Sequence, residues 1–138
     1  MTIPAKLPLR GRRNAYFGEE WQFTVKDPDT GVSAPVDLTG WQGKLELRQY
    51  GAQPGNALFT LYNVTANIEG VWIIEPTEGR VQVYITKSTM RGVYDFLRGD
   101  IEPGADIIVS YDLKMTEGDG RDDVWVEGLL TLNPGVTE

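Results

Sequence analysis

The sequence predicts an all-β fold, an antiparallel β-sandwich or jelly-roll-like domain of about seven to eight strands with one short crossover helix near residues 88–98. Three observations predict it. Glycine and proline account for 16 and 8 of the 138 residues, above the average usage of about 12%, and they fall between apolar runs as punctuation. The runs themselves alternate apolar and polar residues with a period of two, the signature of a half-buried strand. Only one segment shows helical spacing.

Along the chain, Trp21, Phe23 and Val25 occupy one face of a first strand, with Gln22, Thr24 and Lys26 on the other. Asp27-Pro-Asp-Thr-Gly31 then turns the chain. Trp41, Gly43, Leu45 and Leu47 alternate with Gln42, Lys44, Glu46 and Arg48 in a second strand, and residues 51–56 form a loop. Residues 58–64 and 71–74 make two more strands, the latter ended by Pro76, which has no N–H for a ladder. Val81, Val83 and Ile85 alternate with polar partners. Met90, Val93, Tyr94 and Leu97 stand at i, i+3, i+4 and i+7 and predict the helix, with Ser88 as N-cap and Gly99 as C-cap. Gly92 weakens that helix by about 1 kcal/mol relative to alanine. Ile107, Val109, Tyr111, Leu113 and Met115 share one face of a long strand, which residues 117–123 turn into a partner over residues 125–132, with Gly128 read as a bulge.

The net charge of −7 conceals a division. Residues 1–18 hold Lys6, Arg10, Arg12 and Arg13 and no acid, for +4, whereas residues 19–138 hold nine basic against 20 acidic residues, for −11. The domain reading is therefore an extended basic arm over residues 1–14 and one sandwich over residues 15–138, the arm ordering only on a partner. A body at −11 repels phosphate backbones, so nucleic acid is not an expected partner. The start of the chain is too broken by proline and charge for a secretory signal, and residues 71–74 are far short of the roughly 20 apolar residues of a membrane span. A soluble, cytoplasmically made protein without a membrane partner is expected.

The chain has no His and no Cys. That excludes imidazole-based triads, ordinary zinc sites and disulfides. Paired carboxylates would suffice for glycoside hydrolysis, with Glu19, Glu20, Asp95, Asp100, Glu102 and Asp106 as candidates, but charged residues near turns read first as solvated surface. Glu117, Asp119, Asp122 and Asp123 do not follow a calcium-loop spacing and read as a soluble hairpin tip. Trp21, Trp41, Trp72 and Trp125 read as core, with a sugar- or receptor-binding groove as the alternative. Gly51-Ala-Gln-Pro-Gly55 lacks the Lys-Ser/Thr pair of a phosphate cradle. The expectation is a protein that is not an enzyme and has no cofactor, metal or catalytic residue.

Gly18-Glu-Glu-Trp21-Gln-Phe-Thr-Val25, the Gly31 turn and Asp37-Leu-Thr-Gly-Trp41 together resemble the opening of small virion structural proteins of tailed bacteriophages. The resemblance continues through residues 86–90, Tyr111-Asp-Leu113, the turn at 117–120 and a last strand over 128–137, covering roughly residues 15–138. It implies a non-catalytic subunit that decorates or cements the capsid exterior, or alternatively a tail, baseplate or neck adaptor. The implied partners are the major capsid protein or tail proteins and further copies of the chain, and the implied location is the virion, after synthesis in the host cytoplasm. Two stretches depart from the pattern, the arm and an insertion over residues 91–106 that contains Pro103. Particle contacts are accordingly expected at Lys6, Arg10, Arg12 and Arg13 of the arm, and at Arg91, Tyr94 and Arg98 of the insertion.

Overall fold

A computed structural model describes residues 5–49, 57–98 and 105–134. The loop expected at 51–56, the Gly99 cap, Asp100, Glu102, Pro103 and the end of the chain beyond residue 134 lie outside the described residues. Among the described residues the chain is all-β, with twelve strands, several of only two or three residues, and one α-helix. Beyond the seven to eight strands expected, the additional ones are short pairings at edges and corners.

One sheet holds β1 (Ala5–Lys6), β2 (Leu9–Arg12), β6 (Gln42–Arg48), β7 (Phe59–Leu61), β11 (Ile107–Thr116) and β12 (Asp122–Asn133), in the order β1-β12-β11-β6-β7 with β2 also on β12. The other holds β3 (Phe17–Gln22), β8 (Asn63–Val64), β9 (Gly70–Glu75) and β10 (Arg80–Ile85), in the order β3-β10-β9-β8. Period-2 alternation sends one set of side chains from each strand inward. Leu45 and Leu47, Val81, Val83 and Ile85, and Val109, Leu113 and Met115 thereby meet in a single core. Gly43 lets the two layers approach closely, since a Cβ there would sit 2.5 Å from Cγ1 of Val71.

The Asp37-Leu-Thr-Gly40 motif has a local structural cause. Thr39 donates its N–H and its hydroxyl to Asp37 Oδ1 at 2.9 and 2.6 Å, an Asx turn. The hydroxyl bond, followed by the backbone one, holds the Asp37 carboxyl below its ordinary value. Gly40 follows with φ of 83°, and Leu38 between them is buried in the core.

Four details correct the sequence reading. The first strand does not continue from Trp21 to Val25. Phe23 still gives its N–H to Gly79 O at 2.8 Å, one step beyond the Gln22–Arg80 pair, but the chain then leaves β10, and β4 (Thr24–Lys26) pairs instead with β5 (Ser33–Pro35) in an exposed ribbon. The bulge of the terminal hairpin lies at Trp125, where Leu113 faces Val126 and Lys114 faces Val124. Gly128 has another task, because a Cβ there would collide with the Leu7 carbonyl oxygen.

The helix α1 (Lys87–Arg98) matches its expected span, but its cap is Thr86 rather than Ser88. Thr86 Oγ1 accepts from the Thr89 N–H at 3.3 Å, while Glu69 Oε2 accepts from the Thr86 N–H and hydroxyl at 2.8 and 2.9 Å. Burial pushes the Glu69 carboxyl up, but the bonds from Thr86 and Thr89 outweigh it and leave the carboxyl below its ordinary 4.5. Its stabilisation is therefore complete above about 4.5 and lost as pH falls through the lower folded value. Glu69→Ala is expected to cost about 1–2 kcal/mol at neutral pH. Urea midpoints should converge with wild type in acid, and a pH-independent difference would refute the assignment.

The fourth correction concerns the basic segment. It is extended, but the described part does not stand apart from the body. Ala5 and Lys6 pair in parallel with Val126 and Glu127, and Leu9 to Arg12 pair in parallel with Leu130 to Asn133. Leu9 and Gly11 face inward and are buried. A parallel edge on β12 satisfies these backbone groups without a partner chain, and the sandwich accordingly includes residues placed in the arm.

Candidate docking surface

The parallel pairing decides where the basic side chains go. With Leu9 and Gly11 turned into the core, Arg10 and Arg12 alternate to the outer face of the six-stranded sheet, and both are exposed, as is Lys6. Arg13 does not join them. Its Nε lies 2.7 Å from Asp95 Oδ1 and its terminal nitrogen 3.3 Å from Oδ2, a two-pronged pair that ties the segment to α1.

The insertion residues separate in the same way. Tyr94 is 1% exposed and donates its hydroxyl to Ala105 O at 2.7 Å, so it is a core residue and the expected partner contact there is overturned. The i, i+3, i+4 spacing that revealed the helix also placed Tyr94 on its buried stripe. Arg91 is half-buried, with an Nε enclosed without a hydrogen bond among the described residues. The side chain of Arg98 lies outside the described residues.

Register across the sheet assembles a feature that no single strand reveals. Lys6, Glu127, Asp112, Glu46 and Thr60 stand opposite one another on consecutive strands in one row. The rows on either side carry Lys44 and Lys114, and Arg48, Ser110 and Leu129. Glu46 is nearly enclosed, with Arg48 at 2.6 Å on one oxygen and Lys44 at 3.5 Å on the other. A shallow depression of about 330 Å³ opens here, lined by Lys6, Arg48, Ser110, Asp112, Glu127 and Leu129 among others. Leu129 and Ile108 are the exposed apolar side chains of this face.

Asp112 is the strained member of the row. Burial, then Glu46, push its carboxyl above the ordinary value against the pull of Arg48 and Lys114, and Oδ1 is buried without a hydrogen bond. A raised folded value means that stability falls as pH climbs from 3.8 through that value. Asp112→Asn is therefore expected to stabilise the protein by about 1 kcal/mol near neutral pH. The gain should vanish below the ordinary aspartate range. Thermal melts of both proteins across pH test this, and a variant no more stable than wild type at pH 7 would contradict it.

The remaining candidates do not converge. Glu19 and Glu20 point to opposite sides of β3, Asp95 is held by Arg13, and Asp106 accepts from Asn133 at 3.1 Å. At the hairpin tip, Asp119 is held 2.7 Å from Arg121 and Glu117 lies 3.6 Å from it. No group of three or more acids among the described residues is placed to hold a metal ion. Among the tryptophans, Trp21, Trp41 and Trp125 pack against the core, and Phe23, Trp125 and Trp41 form a chain with ring centroids 5.1 and 5.0 Å apart. Trp72, opposite Gln82, is turned to the outer face. No helix among the described residues is long and apolar enough to cross a membrane. No protein-family model matches the chain, and no curated protein matches it.

Proposed function

We propose that this chain is a structural subunit of a tailed-bacteriophage virion, a non-catalytic binding module on the capsid exterior. The observation that carries this reading is the β1–β2 edge. Lys6, Arg10 and Arg12 project from a strand pair locked to β12, beside a face of interleaved positive and negative side chains. A rigid edge of this kind binds an acidic protein surface with little ordering cost, and many weak contacts of one kind add up on a symmetric particle. The order of turn and strand motifs supports the same class.

The tail, baseplate or neck adaptor reading gains from a second observation. A clamp across neighbouring capsomers calls for an arm that leaves the body, whereas the described part of this segment lies along its own sheet and is bolted to α1 through Arg13 and Asp95. Electron microscopy of purified particles, with mass spectrometry of their proteins, tests both readings. Density for this fold on the capsid surface is expected under the first and at the tail or neck under the second. Absence of the chain from particles made by cells that express it would overturn both.

A further inference from the structure

The turn between β11 and β12 holds the single Asp–Gly step of the chain, Asp119-Gly120, and the chain has no Asn–Gly step. Such a step carries a latent reaction. The backbone nitrogen that follows an aspartate can attack the side-chain Cγ and close a succinimide ring, and glycine, with no Cβ, leaves that nitrogen least shielded. After every other aspartate stands a residue whose side chain crowds the nitrogen, or Pro28, which has no N–H to lose.

Local bonds hold this step closed. Gly120 gives its N–H to Glu117 O at 2.9 Å, and the Glu117 N–H goes to Arg121 O at 2.8 Å, so the attacking nitrogen is engaged in the turn. Both oxygens of its target are engaged as well. Asp119 Oδ1 accepts from the Arg121 N–H at 3.0 Å, and Oδ2 accepts from Arg121 Nε at 2.8 Å and from a terminal nitrogen at 2.7 Å. Ring closure needs this carboxyl free to swing towards Gly120 and protonated, so that an oxygen can depart as water. Arg121 opposes both requirements, since its side-chain bond, then its backbone bond, holds the carboxyl below its ordinary value. The latch is a thin one, because the Arg121 side chain is 81% exposed and an exposed pair opens readily.

We propose that Asp119 is a site of spontaneous isoaspartate formation and that Arg121 sets its rate. The Gly120 nitrogen bonds to Asp119 Cγ and gives up its proton, while one carboxyl oxygen leaves as water. Water then adds to either carbonyl of the ring. Addition at Cγ restores aspartate. Addition at the former backbone carbonyl leaves the main chain running through Cβ and Cγ, one atom longer, with the α-carboxylate as its side group. Water is the only co-reactant. The lengthened loop cannot keep the Gly120–Glu117 and Asp119–Arg121 bonds together, so the modification loosens the tip of the terminal hairpin. This inference stands independently of the virion reading.

Incubation of the folded protein at neutral pH and physiological temperature tests it. Methyl transfer by a protein-isoaspartyl methyltransferase counts the isoaspartate, and electron-transfer fragmentation in a mass spectrometer places it. Wild type is expected to gain isoaspartate slowly, and at residue 119. Arg121→Ala should gain it roughly two- to five-fold faster, the range that an exposed ion pair controls, with its circular dichroism unchanged. Asp119→Glu, which would need a larger ring, should gain none there. In urea sufficient to unfold both chains, wild type and Arg121→Ala should share one faster rate, since neither then has a latch. Equal rates for the two folded proteins would overturn the role of Arg121. Isoaspartate that gathers first at another residue, or a residue 119 that stays unmodified even in urea, would overturn the site.

Discussion

Gly79→Ala is expected to lower the unfolding free energy by roughly 2–4 kcal/mol, a drop in Tm of roughly 10 °C. Gly79 ends the 3-10 turn Pro76–Glu78 with φ of 66°, a left-handed conformation that costs a residue with a Cβ about 1–2 kcal/mol. Space adds to this, because the new Cβ would lie 2.5 Å from Phe23 O and 2.8 Å from Val36 O. Those oxygens cannot retreat freely. Phe23 O accepts from the Val36 N–H at 2.9 Å, and the Phe23 N–H is already given to Gly79 O. The turn thus fastens the end of β3, the start of the β4–β5 ribbon and the approach to Leu38, whose N–H goes to Pro76 O at 2.8 Å. Denaturant unfolding measures the loss. A change below about 0.5 kcal/mol, the range of ordinary surface substitutions, would show that the junction is not built as described.

Tyr111→Phe is expected to cost about 1–3 kcal/mol and to loosen the edge on which the basic side chains sit. Tyr111 rises from β11 and donates its hydroxyl to Leu7 O at 2.6 Å, between β1 and β2. Gly128 admits that carbonyl to the same spot, and the Leu7 N–H is given to Glu127 O at 3.0 Å. Without the hydroxyl the Leu7 carbonyl loses this part-buried partner. Burial, with Glu19 adding to it, raises the phenol to about 12, so a spectrophotometric titration should show a tyrosine ionising at about 12 that disappears in the variant. Amide hydrogen exchange separates local from global effects. Protection should fall first at Lys6, Leu7 and Leu9, and unchanged protection there would sink the assignment.

Much of the fold was legible in the residues because burial acts one strand at a time. The alternation in β6, β10 and β11 requires only that one face be dry, and the i, i+3, i+4, i+7 apolar set of α1 reports its buried stripe directly. What depends on two segments meeting was not legible. A short run with four cations and two prolines reads as a solvated arm until β12 is known to offer a parallel edge that buries Leu9 and Gly11. A glycine in a strand serves equally as a bulge or as room for another backbone, and Gly128 proved to be the second. Ser88 and Thr86 are both fair caps, and Glu69, at the start of β9 and next to the end of β10, decided between them. The row from Lys6 to Glu46 shares this origin, since it takes single residues from several strands and exists only once register is set.

The pairing of β1 and β2 with β12 also governs the order in which the molecule is made. The first described strands join the last one, at opposite ends of the described chain, so their docking closes the longest loop in the fold and bears its entropic cost. During synthesis the segment with Lys6, Arg10 and Arg12 precedes β12 by more than a hundred residues and has no strand to lie on until β12 leaves the ribosome. Until then its backbone lacks the ladder that β12 provides. Completion of the edge, and with it the display of its arginines, thus waits for β12, and a chain stopped before β12 does not present it.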